Sequence, residues 1–123
     1  MPPGRSSPRL VVSFDIDGTM VFGDPAGPVA VDLVRALAAL GHVVGSASDR
    51  TRTEQAALWS RHGVDVAFVG GKHHLGEVRR RFPADRYVHI GDTVVDEHFA
   101  LDAGFEFFDV VGLPEPGSPG WIM

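Results

Sequence analysis

The fold class this sequence predicts is α/β, with one five-stranded, mostly parallel sheet. Short apolar runs of strand length alternate with stretches whose apolar residues recur at helical spacing. Glycine or proline stands at most of the junctions, so the connections are short. Strict alternation of strand and helix implies parallel strands covered by helices on both faces, a three-layer α/β/α arrangement.

At 123 residues the chain is long enough to bury a substantial core. Its 44% apolar and 22% charged content is ordinary for a globular protein. There are no cysteines, which excludes disulfides, thiolate metal sites and cysteine nucleophiles. The apolar runs are too short to span a bilayer and the first residues lack a leader's apolar core, so a cytoplasmic location is expected. A net charge of −5 argues against nucleic acid as a partner. Lys72 is the one lysine beside ten arginines.

Residues 1–8, with three prolines, are expected to be a disordered tail, and 9–112 the folded domain. Leu10 to Phe14 reads as a buried strand that runs into Asp15-Ile16-Asp17-Gly18-Thr19. Were the strand to continue, Asp15 and Asp17 would share one side and repel each other. Such a pair calls for a cation, and hard carboxylate oxygens suit Mg²⁺. Residues 20–28, with two prolines and two glycines, form a loop or small hairpin. A helix is predicted from Val29 to Leu40, with Pro28 just inside its start and Gly41 at its C-cap.

His42 to Ala47 is the second strand, followed by the turn Ser48-Asp49-Arg50. Thr51 and Glu54 resemble a capping box opening a helix that ends at Gly63. Val64 to Val69 is the third strand, and Lys72 to Phe82 a helix stopped by Pro83. Arg86 to Ile90 is the fourth strand, Thr93 to Ala103 a helix, and Phe105 to Val111 the fifth strand. Residues 113–123 read as an irregular tail, with Trp121 expected to dock on this chain or a second copy. In parallel sheets ligands sit at the carboxyl ends of strands, near the switch in strand order. That rim collects Asp15, Asp17, Ser48, Lys72 and Asp92.

These residues resemble the motifs of the haloacid dehalogenase-like superfamily of phosphohydrolases, whose fold is Rossmann-like. The matches are Asp15-Ile16-Asp17-Gly18-Thr19, then Ser48 (Ser46 being weaker), then Lys72, then Gly91-Asp92-Thr93-Val94-Val95-Asp96. The resemblance implies a Mg²⁺-dependent phosphatase in which Asp15 is the nucleophile and Asp17 the general acid and base. It implies Mg²⁺ on the Asp15 carboxylate, the Asp17 carbonyl and Asp92, with Asp96 a ligand or a support. Ser48 and Lys72 would hold the phosphate, aided by the turn at Gly18 and Thr19. An aspartate at position 17 favours ester hydrolysis over dehalogenation, because an alkoxide leaving group needs a proton. Phosphotransfer, or a non-catalytic phosphate-binding module, is the alternative.

No segment is long enough to be the family's cap domain. A small phosphorylated substrate with a homodimer or homotetramer closing the site is therefore expected. Asp49 is expected to pair with Arg50 or Arg52, or to meet a cationic group of the substrate. His89 reads as a core histidine satisfied by hydrogen bonding, and His73-His74 as solvated.

Overall fold

The computed structural model describes residues 8–113; the expected tail at 1–8, apart from its last residue, and the Trp121 segment lie outside them. Its elements are β1 (Leu10–Phe14), α1 (Val31–Ala39), β2 (Val43–Ala47), α2 (Arg52–Arg61) and β3 (Phe68–Gly70). A 3₁₀ turn (Lys72–His74), α3 (Leu75–Arg81), β4 (Arg86–Gly91), α4 (Val94–Asp102) and β5 (Glu106–Asp109) follow. The strands form one sheet in the order β3-β2-β1-β4-β5, and every pairing is parallel. The fold is therefore α/β with an all-parallel sheet, where a mostly parallel one was expected.

Alternation along β1 sorts its side chains between two clusters. Leu10, Val12 and Phe14 pack with Val34 and Leu37 of α1 and Trp59 of α2. Val11 belongs to the other cluster, with Leu75 and Val78 of α3 and Ala100 of α4. Ser13 has the parity of Val11 and meets His89 of β4, its register partner. Among the described residues no helix is long and apolar enough to cross a membrane.

Several boundaries differ from expectation, the fifth strand being shorter at both ends (Glu106–Asp109), and three of the differences have local reasons. Helix α1 starts at Val31, because Val29 is drawn into an isolated bridge with Met20 that closes the loop between them. Pro28 accordingly lies outside the helix. Strand β3 starts only at Phe68, because Val64 turns back to cap α2 through its amide to the Trp59 carbonyl. The segment beginning at Lys72 opens with a 3₁₀ turn before α3.

The strand order positions the site. The chain leaves β1 for β2 and β3 on one side, then returns to lay β4 on the other. The switch point thus falls between the carboxyl ends of β1 and β4. Asp15 follows the first of these strands directly, and Asp92 the second.

Candidate active site

Strand β1 ends at Phe14, and Gly18, at φ 76°, turns the chain sharply. The two aspartates therefore part. Asp15 points into a buried cluster; Asp17 turns to Arg50. A Cβ on Gly18 would overlap the Asp92 carboxylate, so glycine also lets these two turns meet.

Asp15 is 4% exposed, its Oδ1 accepting the Ile16 amide at 2.8 Å and its Oδ2 lying 3.4 Å from Lys72 Nζ. Lys72 Nζ also lies 3.2 Å from Asp96 Oδ1, and the lysine is itself buried. Burial and the neighbouring Asp96 push the Asp15 carboxyl up to about 7, against the pull of Lys72. Burial alone would lower Lys72, but Asp15 and Asp96 outweigh it and raise the ammonium above its ordinary value.

Asp96 is the third residue of α4 and forms a capping box with Thr93. Its Oδ2 accepts the Thr93 amide at 3.2 Å and the Thr93 hydroxyl at 2.8 Å. Its Oδ1 meets His89 Nε2 at 2.8 Å, while His89 Nδ1 meets Ser13 Oγ at 2.9 Å. With the proton on Nε2, the ring donates to Asp96 and accepts from Ser13. Burial would raise Asp96, yet the bonds from His89 and Thr93, with Lys72 nearby, hold it far below the usual carboxylate range. Gly91 makes room for this carboxyl, since a Cβ there would overlap it.

One oxygen from each of Asp15, Asp92 and Asp96 lies within 4.8 Å of the others. Around a small octahedral cation at least two of three oxygen pairs must be adjacent, about 3 Å apart, so the three carboxylates would have to draw together to hold one. Three carboxylates around buried, partly uncompensated charge are the donor set of a hard divalent ion. Asp92 is exposed, whereas Asp15 and Asp96 are buried. Both oxygens of Asp96 are already engaged, which suits it to support rather than direct ligation. Asp15, buried but with one amide and the longer contact to Lys72, and the exposed Asp92 carry fewer bonds.

Asp17 stands apart from this cluster. Arg50 forks onto it, with Nε 3.1 Å from Oδ2 and Nη2 2.9 Å from Oδ1, and the Asp24 amide adds a bond of 2.9 Å. Burial acts to raise Asp17, but these donors hold its carboxyl below the ordinary value. Arg50 is thus not the partner of Asp49. The Asp49 carboxylate is 89% exposed and lies 3.9 Å from Lys72 Nζ.

The serine that sequence favoured remains free to act. Ser48 Oγ accepts the Arg50 amide at 3.1 Å and keeps its own proton for another acceptor. Ser46 Oγ is consumed between Gln55 Oε1 and Trp59 Nε1, at 2.7 and 2.9 Å. Gln55 also ties the Arg50 and Gly70 carbonyls together, fixing the loops that bear Ser48 and Lys72. Thr19 is fully buried and its hydroxyl has no partner among the described residues, so in this conformation it presents nothing to a phosphate. His74 pairs with Glu77 at 3.4 Å, away from the acidic cluster.

Sequence reasoning missed the Thr93–Asp96 box, although Thr-x-x-Asp ahead of a helix is a legible signal. It also missed the Arg50 fork, which no local pattern announces. No family model, curated protein or solved structure matches the chain.

Proposed function

We propose that the chain is a Mg²⁺-dependent phosphatase of the haloacid dehalogenase-like type, acting on a phosphate monoester through an aspartyl-phosphate on Asp15. The observation that carries this reading is the placement of Asp15. It is a nearly buried carboxylate at the switch point, with Lys72 at 3.4 Å and Asp92 and Asp96 beside it. Structural acids are seldom buried so short of donors; reactive ones are. The two packed clusters, one with α1 and α2 and one with α3 and α4, also agree with a three-layer Rossmann-like fold.

In this reading the Asp15 carboxylate attacks phosphorus and the ester oxygen leaves, giving a phosphoryl-aspartate that water then cleaves. Lys72 and Ser48 hold phosphate oxygens, Lys72 as a point charge oriented by Asp96. Asp15 and Asp92 would hold Mg²⁺, with Asp96 behind them. When bound, the ion would neutralise charge on the nucleophile and the phosphate oxygens. Asp17 takes the proton from the attacking water, having given one to the leaving oxygen. Its pairing with Arg50 suits the base role; donation requires the fork to open.

The experiment is phosphate release from a panel of small phosphate monoesters with Mg²⁺, with EDTA, and with Mg²⁺ restored. Release should vanish in EDTA and return with the metal; undiminished release in chelator would overturn the reading. In Asp17→Asn, an aryl phosphate whose leaving group needs no proton should leave one phosphoryl group on the protein by intact mass. Asp15→Asn should carry none.

A further inference from the structure

We propose that Arg50 is the receptor for a second anionic group on the substrate, so that the preferred substrates are phosphate monoesters bearing a carboxylate or a further phosphate near the ester oxygen. The inference rests on the phosphatase reading for the role of Asp17, and on the geometry of the fork for the rest.

Asp17 must bring one carboxylate oxygen to the ester oxygen. Both are occupied: Oδ1 faces Arg50 Nε at 3.2 Å, Nη2 at 2.9 Å and the Asp24 amide at 2.9 Å, and Oδ2 faces Nε at 3.1 Å. Donating a proton to the ester oxygen therefore requires the guanidinium to give way, because a protonated carboxyl cannot keep both arms of the fork. The base of Arg50 is fixed, its amide on Ser48 Oγ and its carbonyl on Gln55 Nε2. Among the described residues its head is held by acids, Asp17 and, at 3.6 Å from Nη1, Glu54. When the head swings away, the Asp24 amide still holds Asp17 in place.

What draws the head away follows from what it now binds. A guanidinium fork matches a carboxylate or a phosphate and little else, and here it already grips a carboxylate. Asp17 occupies the position of a ligand. With 27% and 34% of the two side chains exposed, the pair is reached from solvent and open to exchange with another anion. An anionic substituent arriving with the phosphate trades places with Asp17, satisfying Arg50 and freeing the acid in one move. A neutral ester offers nothing in return. Arg52, exposed and without an ion-pair partner among the described residues, adds positive charge two residues along.

The test compares 3-phosphooxypropanoate with propyl phosphate, and propane-1,3-diyl bisphosphate with both, on the full chain with Mg²⁺. The anionic esters should show kcat/KM roughly tenfold or more above propyl phosphate, the scale of a charge-assisted contact. In Arg50→Gln the rate on the anionic esters should fall while that on propyl phosphate rises, because Asp17 is released. A merely structural arginine would lower both. Arg50→Lys, charged but without a fork, should fall between. Equal rates in the unaltered protein, or a preference surviving in Arg50→Gln, would overturn the proposal. Calorimetry on Asp15→Asn with Mg²⁺ supplies a readout that needs no turnover. A tenfold tighter Kd for 3-phosphooxypropanoate than for propyl phosphate supports the receptor even if no ester is hydrolysed, an outcome that would sink only the phosphatase reading. Equal Kd values sink the receptor.

Discussion

Asp15, in the turn after β1, and Asp96, in the first turn of α4, are the same residue type in the same cluster, and both are almost without exposed surface. Burial disfavours the charge on each, yet Asp15 is driven up to about 7 while Asp96 is held far below its ordinary value. The difference lies in the donors. Asp96 receives His89 and two groups of Thr93, and Lys72 lies nearer to it, at 3.2 Å against 3.4 Å. Asp15 has one amide and the more distant share of the lysine. Burial alone therefore does not decide the state of an acid; the count of donors around it does. The well-supplied aspartate ties Lys72, His89 and Thr93 together, and the poorly supplied one is the acid that the proposed function gives to chemistry and to a cation.

The sharpest way to break this comparison is to remove each acid in turn. Asp96→Ala strands Lys72, His89 and the start of α4 together, and should cost roughly 3–5 kcal/mol in urea unfolding. Asp15→Asn should abolish phosphate release with little loss of stability in EDTA, and even a gain, since an unfavourable buried charge disappears. Equal destabilisation by the two would contradict the assignment of roles.

Next in size is a pH effect. Asp15 is an acid whose folded value lies above its unfolded one, so the folded state binds the extra proton. Its contribution to stability must therefore fall as pH rises from about 4 to about 7, by on the order of a few kcal/mol in metal-free protein. Asp96 has the opposite sign: its stabilisation is present above the unfolded value and is lost on acidification below about pH 4. Unfolding free energies of the unaltered protein minus those of Asp15→Asn, across pH 4–8 in EDTA, isolate the first slope. Added Mg²⁺ should flatten it, and a difference curve already flat in EDTA would remove the argument for Asp15.

Gly91→Ala sharpens the comparison more gently. The new Cβ meets the Asp96 carboxyl and should cost about 1–3 kcal/mol by overpacking. Gly18→Ala, which meets the exposed Asp92 instead, should weaken Mg²⁺ binding more than its cost in stability would explain. Calorimetric titration of Mg²⁺ into both variants separates the two effects.

The smallest contrast is between the caps. Thr51→Ala removes an exposed capping box and should cost about 1 kcal/mol. Thr93→Ala should cost that or slightly more, because it also takes a hydroxyl from buried Asp96. A loss confined to Thr51→Ala would mean that the α4 box does not hold Asp96.

What the sequence determined by itself was whatever depends on near neighbours. The α/β alternation, the Thr51–Glu54 box and the position of Asp15 at the end of a buried strand are all readable within a few residues. Helical spacing, capping chemistry and strand length act at that range. The boundaries it missed, at Val29 and Val64, are places where an apolar residue serves a loop rather than the adjoining element. Tertiary structure decided how the charges are partnered. Ser13 meets His89 across 76 residues because β4 lies beside β1 in that register, and Arg50 reaches Asp17 across 33 because the turns after β1 and β2 adjoin. Strand order and register are set by the packing of the whole sheet, and electrostatic partnership follows distance in space. The sequence could therefore name the acids, but only the fold could divide them into one that is satisfied, one that is clamped and one that is buried short of donors.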